Sequence, residues 1–307
     1  MSFVFAELWV LAAVAAAAFQ TLRFMLQKAL SVETLTPTGA TFARFLYSAP
    51  IIFGLVVLYF GSSGQQLPAI GAGFWAFAVA GGLAQVVATV CVVALFKSRN
   101  FAVGLTLIKT EVIMSVIVGI VLLGDAVTLP SLIAILLGIV GVLMLSPPPE
   151  VRGWGWYEMW NRSVLLGLSA GFLFGISAVS YRGASLQIAA DAPVLRAAIT
   201  LSAVTMLQMT GMSIWFALRD RAQLTAVWQA RRKAIWIGLL SLAGSFCWFL
   251  AFTMQNAAYV KAVGQIELAF GAIASVVFFG EQITRREFYG MAVLCGSILM
   301  LILLAGS

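Results

Sequence analysis

The chain has no histidine and only three cysteines in 307 residues, which limits the chemistry available to it. Cys91, Cys247 and Cys295 all lie within apolar stretches, and no two of them form a CxxC pair. Imidazole and thiolate are the main zinc ligands, and paired cysteines build disulfide frameworks. We therefore expect no metal site, no disulfide and no cofactor, with the cysteines acting as small buried apolar residues.

Charged residues are also scarce, at 9% of the chain, whereas 62% is hydrophobic and the mean hydropathy is +1.05. Soluble domains carry about 25% charged and roughly 45–50% apolar residues. A soluble fold cannot bury this much apolar surface, so the composition predicts an all-α membrane protein. The net charge of +7 is spread over short loops and forms no continuous basic face, which argues against nucleic-acid binding.

Apolar runs of about 20 residues, long enough to cross a bilayer, recur along the whole chain. Turn and charge signals separate ten predicted transmembrane helices. These spans cover approximately residues 7–30, 37–60, 73–96, 101–123, 129–146, 163–186, 193–217, 234–255, 258–280 and 286–305. No basic segment precedes the first span, so we expect it to be a retained helix rather than a signal peptide.

A proline-rich segment divides the ten spans into five and five. Three consecutive prolines begin at Pro147 and are followed by Trp154, Trp156 and Trp160, which predicts a stiff linker with an interfacial aromatic anchor. The expected organisation is a first five-helix repeat at 1–146, a linker at 147–162 and a second five-helix repeat at 163–307.

The two halves match each other without a gap at a shift of 156 residues. Aligned identities include Cys91 with Cys247, Phe96 with Phe252, Asn100 with Asn256 and Glu111 with Glu267. Because each half has an odd number of helices, the second must insert upside down, giving two inverted five-helix repeats. This symmetry is typical of transporters, since a site between the halves can open to either side in turn.

Basic residues indicate the orientation in the membrane. The connections after odd-numbered spans hold twelve of them: Lys28, Lys97, Arg99, Arg152, Arg162, Arg219, Arg221, Arg231, Arg232, Lys233, Arg285 and Arg286. The other connections hold only Arg182. The positive-inside rule therefore predicts cytoplasmic odd-numbered connections and non-cytoplasmic termini.

Two related segments suggest a family. LGDAVT, from Leu123 to Thr128, and FGEQIT, from Phe279 to Thr284, each follow one apolar helix and precede another. They resemble the lGE-x-lt signature of EamA-type proteins in the drug/metabolite transporter superfamily, and Arg44 resembles that family's second-helix arginine. The length and the ten predicted helices agree, so the resemblance covers essentially the whole chain.

The resemblance implies a secondary carrier in the bacterial inner membrane. Such carriers are often exporters of amino acids, metabolites or cationic compounds, with a central cavity between the two halves. Members are commonly described with cytoplasmic termini, contrary to the charge pattern above. We retain the orientation that the charges of this chain predict.

Two acidic residues are predicted at mid-membrane depth. Glu111 and Glu267 each lie about ten residues into their spans. A charge at this depth is costly and usually marks a substrate or ion pathway. A carboxylate removed from water favours its protonated form, so either acid can exchange a proton for a cation. The alternative is a structural role, in which the acids join helices together.

Neighbouring residues refine this candidate site. Lys109 is predicted to pair with Glu267 across the two halves or to bind a substrate carboxylate, whereas Lys261 is expected to extend towards the membrane surface. Gly264 and Gly271 lie on the same helix face as Glu267, leaving space for a ligand or for close helix packing. We favour Glu267 over Glu111, because the nearby Lys109 can engage Glu111 in an ion pair.

Small, polar and aromatic residues form a stripe on the eighth span and on its counterpart, the third. The eighth span contributes Ser241, Gly244, Ser245, Trp248 and Phe252, and the third contributes Gln85, Ala88, Thr89, Val92 and Phe96. Such a stripe suits a cavity wall, and its rings suit an organic cation through cation–π attraction. Ordinary helix packing is the alternative for each ring.

Further polar residues fall within spans. Gln20, Arg23 and Gln27 share one face of the first span, and Arg44 and Arg196 lie in the second and seventh. Each must avoid lipid, either by lining the vestibule of the cavity or by pairing with loop acids and reaching the membrane surface, and for the arginines we favour the second.

The absence of GxxxxGK[ST] argues against ATP-driven pumping by this chain. The sequence therefore predicts a secondary active transporter, an exporter or exchanger, of a small organic solute, coupled to protons or another ion. The alternatives are a channel or scaffold and, with few groups available for catalysis, a membrane-embedded enzyme.

Overall fold

The computed structural model describes residues 2–33, 35–98, 108–145, 162–270 and 284–305. Regular structure in these ranges is α-helical, in eleven helices and a short helical stretch at 267–270. The helices are α1 (Ser2–Glu33), α2 (Pro37–Ser63), α3 (Ala72–Ser98), α4 (Glu111–Leu123), α5 (Leu129–Leu145), α6 (Arg162–Leu186), α7 (Pro193–Arg219), α8 (Arg221–Gln229), α9 (Arg231–Met254), α10 (Ala257–Gly264) and α11 (Arg285–Ala305).

Six of these helices, α1, α2, α3, α6, α7 and α9, are long and apolar enough to cross a membrane, and α4, α5 and α11 contain shorter apolar segments. Helices suit this environment because they satisfy their backbone hydrogen bonds internally. Large apolar side chains such as Val121, Leu218 and Leu303 are more than 70% exposed, as expected for surfaces that face lipid.

Local signals define several helix ends. The Thr36 hydroxyl accepts a hydrogen bond from Gly39 N at 3.1 Å and starts α2, with Pro37 at its first position. Gly124 ends α4 with a φ of 66°, a left-handed conformation that glycine adopts readily. The predicted linker at 147–162 lies outside the described residues except for Arg162.

The fourth and ninth predicted spans differ from continuous helices. A turn at Lys109 and Thr110 precedes α4, and a turn at Gln265 and Ile266 separates α10 from the helical stretch beginning at Glu267. The two breaks have the same hydrogen bonding: Val112 N donates to Lys109 O at 3.3 Å, and Leu268 N donates to Gln265 O at 3.0 Å. These two bonds are related by the 156-residue shift.

The short helix α8 is a second difference, because the sequence analysis treated this segment as a loop. Thr36 Oγ1, in the connection between α1 and α2, donates to Gln223 Oε1 of α8 at 2.8 Å. Asp125, after α4, contacts Arg182 near the end of α6. The connectivity of the helices puts these two contacts at opposite ends of the bundle.

Helices of the two halves pack closely on each other, with α3 on α6, α1 on α9 and α5 on α11. A Cβ added at Gly138 would lie 2.9 Å from Ser297 Oγ, and one at Gly141 would lie 2.8 Å from Leu294 N. The repeat shift relates Gly138 to Leu294 and Gly141 to Ser297, so the two contacts are exchanged by the repeat.

Glycines on one face of α6 let this helix approach α4 and the turn before it closely at Gly171 and Gly175. A Cβ at Gly171 would meet the Thr110 side chain and Ile108 O, and a Cβ at Gly175 would lie 2.7 Å from Met114 Cβ. This face brings α6 against the helix break that precedes Glu111.

Candidate functional site

Two buried ion pairs join the halves at the helix breaks. Lys261 Nζ donates to Glu111 Oε2 at 3.0 Å, and Lys109 Nζ contacts Glu267 Oε1. All four side chains are buried. Each acid therefore takes its base from the other half, and the pair that the sequence analysis suggested between Glu111 and Lys109 is replaced by one between Glu111 and Lys261.

The breaks also determine the local field at the acids. Glu111 is the first residue of α4, and Glu267 is the first residue of the helical stretch at 267–270. Backbone N–H groups at a helix start carry partial positive charge, which stabilises a carboxylate there. The start of α4 and Lys261 together stabilise Glu111, and Glu267 is held by Lys109 and Gln20.

Gln20 of α1 connects Glu267 to the aromatic stripe of α9. Its Nε2 donates to Glu267 Oε2 at 2.8 Å, and its Oε1 accepts a hydrogen bond from Trp248 Nε1 at 3.0 Å. A single amide thereby connects the Trp248 ring to the Glu267 carboxylate.

The expected space beside Glu267 is filled in this structure. The Trp248 indole lies where a Cβ on Gly264 would be, so the missing side chain accommodates a ring of the protein. Of the two alternatives for Gly264, ligand space or close packing, the structure has close packing. Gly271 lies outside the described residues.

Lys261 was expected to extend towards the membrane surface, and this prediction is wrong. Its ammonium lies in the core. The nitrogen is 4.6 Å from the Trp248 ring centroid, 5.9 Å from that of Phe252 and 5.5 Å from that of Phe174. Trp248 and Phe252 stack with centroids 5.6 Å apart. An ammonium surrounded by ring faces gains cation–π attraction, which offsets part of its desolvation.

Arg44 also lies in the core, contrary to the expected extension to the surface or to loop acids. Its Nε donates to Ser241 Oγ at 2.7 Å, its NH2 group to Ser245 Oγ at 2.9 Å and its NH1 group to Thr89 Oγ1 at 3.4 Å. The hydroxyl groups come from α9 and α3, on the predicted polar stripes. Arg44 thereby links α2 to both of these helices.

Gln85 forms a second hydrogen-bond cluster, which Thr89 connects to Arg44 because its Oγ1 donates to Gln85 O at 2.8 Å. Gln85 Oε1 accepts from Tyr181 OH and from Gln208 Nε2, each at 2.9 Å. The sequence analysis did not single out Tyr181 or Gln208. Their polar groups within apolar spans were the available signal, because such groups require partners away from lipid.

These groups surround a small cavity between the halves, with a volume of about 20 Å³. The first half contributes Gln20, Arg44 and Gln85 to its lining. The second half contributes nine residues, including the predicted Ser245, Trp248 and Phe252 as well as Lys261. Three further site residues lie behind the lining and contact it: Thr89 bonds to Arg44, Glu111 to Lys261 and Glu267 to Gln20. Lys109 pairs with Glu267. The Phe96 side chain is outside the described set.

Positive charge exceeds negative charge in the core. Within the described ranges, six charged residues are buried: Arg23, Arg44, Lys109 and Lys261 are basic, and Glu111 and Glu267 are acidic. Arg23 donates to Gln27 Oε1 at 3.0 Å and lies within electrostatic range of Glu267. With every group ionised, the bases exceed the acids by two.

The family model described as "EamA-like transporter family" matches residues 7–146 and 161–303. Twenty-nine chains of solved structures also match. One of them, described as "Crystal structure of protein", has a TM-score of 0.69 and 13% sequence identity, and the match covers 97% of this chain and 96% of that chain. At this identity the likeness shows the fold alone. No curated protein sequence matches the chain.

Proposed function

Because the chain belongs to the EamA-like transporter family, we propose that it is a secondary active transporter that moves a small organic solute by alternating access. Its family and its apolar helices make it an integral membrane protein of the drug/metabolite transporter type, with a small-molecule substrate and the lipid bilayer as its surroundings. Export or exchange is the proposed mode, in the bacterial inner membrane, with non-cytoplasmic termini.

The proposed architecture is ten transmembrane helices in two inverted repeats, 1–146 and 163–307, joined by the linker at 147–162. Three observations support it. One family model matches both halves. The exchanged contacts of α5 and α11, Gly138 with Ser297 and Gly141 with Leu294, are those expected of two helices crossing on a pseudo-twofold axis. The helix breaks before Glu111 and Glu267 have equivalent hydrogen bonds.

Alternating access requires a site that can be closed at either end. Arg182 donates to Asp125 Oδ2 at 3.0 Å and to the carbonyl oxygens of Phe252 and Gln255 at 3.0 and 2.8 Å, which joins the halves at one end. Thr36 and Gln223 join them at the other. A cavity of about 20 Å³ has room for roughly one water molecule, so in this conformation the site is too small for an organic solute. Transport then requires the two sets of contacts to open in turn.

The crossed ion pairs are the observation that carries the coupling proposal. Protonation of Glu267 neutralises the partner of Lys109 and weakens a contact between the halves. Protonation of Glu111 does the same for Lys261, whose ammonium borders the cavity. A proton entering from one side thus changes both the strength of the interface and the charge next to the substrate. Helix cohesion alone is the competing role for these acids.

Reconstitution into vesicles tests the carrier proposal. A panel of radiolabelled amino acids, organic acids and amines is screened with and without an imposed pH gradient. We expect saturable uptake that is accelerated by unlabelled substrate on the opposite side, because a carrier returns faster when loaded. Flux that does not saturate and shows no counterflow identifies a channel, and loss of the solute through chemical conversion identifies an enzyme.

A further inference from the structure

The charges that border the cavity are all positive within the described part of the chain. Arg44 and Lys261 line the cavity, and none of the other lining residues is an aspartate or a glutamate. Glu111 and Glu267 lie behind the lining and are already paired with lysines. A solute entering the cavity therefore meets Lys261, which Glu111 already neutralises, and Arg44, which has no carboxylate partner within the described ranges.

Arg44 has hydrogen-bonding capacity left for a ligand. A guanidinium carries five N–H donors, and three of them are directed to the hydroxyl groups of Ser241, Ser245 and Thr89. Hydroxyl oxygens are neutral acceptors, and no carboxylate in the described ranges lies within ion-pair distance of Arg44. Arg44 is only 3% exposed, so solvent does not balance its charge. An unbalanced cation in this setting favours entry of an anion.

The aromatic rings do not offer a free site for an organic cation. The ammonium of Lys261 already occupies the ring faces of Trp248, Phe252 and Phe174. A cationic solute would have to displace this lysine or approach it closely, and like charges in a low dielectric repel strongly. Tyr181 and Phe249 form a further ring stack, with centroids 4.4 Å apart, and both residues line the cavity.

On the basis of the transport function above, we propose that the substrate is a small organic anion, bound by its carboxylate to Arg44, with its apolar or aromatic part against the rings of α6 and α9. The planar fork of arginine matches the two oxygens of a carboxylate. Lys261 is paired with Glu111, so Arg44 supplies the charge that the carboxylate of the substrate would balance. The geometry thus selects against the cationic compounds that the aromatic stripe suggested in the sequence.

Three probes of similar size test the sign of the required charge: phenylacetate, its neutral amide phenylacetamide, and the cation phenethylammonium. Their binding to the purified full-length protein in detergent is measured by calorimetry at millimolar concentration. We expect phenylacetate to bind between about 10-fold and about 150-fold more tightly than the amide, as for the loss of a hydrogen bond to a charged group. Equal binding of the amide, preference for the ammonium, or binding of none of the three overturns the assignment.

Variants of Arg44 test whether this residue is responsible for the preference for phenylacetate over its amide. Arg44→Gln should bring the affinity for phenylacetate down to that for the amide, and Arg44→Lys should restore part of the preference because the charge remains without the fork. Arg221→Gln, which removes an exposed arginine on α8, is the matched control and should keep the wild-type ratio. A ratio unchanged in Arg44→Gln overturns the role of Arg44. If Arg44→Gln does not fold, the three probes on the wild-type protein still decide the charge of the ligand.

This test is separate from that of the carrier. Binding of phenylacetate without counterflow in vesicles contradicts the transport proposal and leaves the anion assignment intact. Counterflow with a preference for the ammonium probe contradicts the anion assignment and leaves the carrier intact.

Discussion

Lys261 on α10 donates to Glu111 at the start of α4, and this 3.0 Å contact joins residues that lie 150 positions apart in the chain. Removing one member of a buried ion pair leaves the other uncompensated, at a cost of about 3–5 kcal/mol. Lys261→Met should therefore lower the free energy of unfolding in detergent by about that amount. The double variant Lys261→Met with Glu111→Gln should recover most of the loss, and simple additivity of the two single effects would contradict the pairing.

Glu267 should confer the pH dependence of transport. Glu267→Gln keeps the shape and removes the titratable group, so transport should no longer respond to an imposed pH gradient. Vesicles holding wild type, Glu267→Gln and Glu111→Gln are compared once a transported solute is known, with Asp191→Asn as an exposed acid control. If both glutamine variants transport with unaltered rate and pH dependence, the acids are structural and the coupling proposal fails.

The packing of α6 on the helix break predicts a stability effect at Gly171. A side chain there meets Thr110 and the backbone of Ile108, so Gly171→Leu should destabilise the protein by about 1–3 kcal/mol through overpacking. Gly211→Leu is the matched control, because no atom lies within 4 Å of a Cβ at Gly211. Thermal unfolding in detergent measures both, and equal melting temperatures would contradict the close approach.

Trp248 should contribute to substrate binding because it borders the cavity and contacts both Lys261 and Gln20. Trp248→Ala should weaken binding about 2- to 10-fold through loss of ring contacts. The residue is also buried beside Gly264, so affinity must be measured on the folded fraction. Trp215→Ala, on the exposed face of α7, controls for general loss of a ring. A variant that binds normally when folded would limit Trp248 to packing.

The charge pattern predicts that α8 lies on the cytoplasmic side. Gln223, within α8, accepts a hydrogen bond from Thr36 and is only partly exposed, so Ala222 is the better labelling position. In a background without native cysteines, Ala222→Cys should resist an impermeant thiol reagent in intact cells. Gln66→Cys, in the connection between α2 and α3, should react rapidly. The reverse result would invert the orientation.

The sequence was sufficient for the features that depend on composition and periodicity. The apolar helices, the internal match of the halves and the burial of Glu111 and Glu267 away from lipid follow from residue type and spacing. The same holds for Ser245, Trp248, Phe252 and Gln85 at the cavity, because polar and aromatic residues on one helix face seldom face lipid. These expectations needed no knowledge of which helices are neighbours.

The two helix breaks could not be predicted without knowing which helices are neighbours. No proline lies at Lys109 and Thr110 or at Gln265 and Ile266, and Gly264, directly before the second break, is the one adjacent residue that clearly disfavours a helix. A break within a bundle is tolerated when neighbouring groups satisfy or cover the freed backbone. Here the partner is Gly171 of α6, whose missing side chain lets that helix approach Ile108 and Glu111.

The burial of Arg44 and Lys261 was missed for a related reason. A long basic side chain in an apolar span has two ways to avoid lipid, and only the positions of distant partners decide between them. Ser241 and Ser245 lie about 200 residues from Arg44 in the chain, and Glu111 lies 150 from Lys261. The sequence contained these partners but did not show that they meet.

The crossed ion pairs also constrain how this chain can change over generations. A substitution that removes the charge of Glu111 leaves Lys261 without its partner, and one that removes the charge of Lys109 leaves Glu267 without its partner. The two acids occupy equivalent positions in the repeats, but the two lysines do not, because the shift that relates Glu111 to Glu267 relates Lys109 to Gln265. The two ion pairs are therefore not copies of each other. Among descendants of this chain, positions 111 and 261 should therefore covary, as should positions 109 and 267, more strongly than positions 109 and 265.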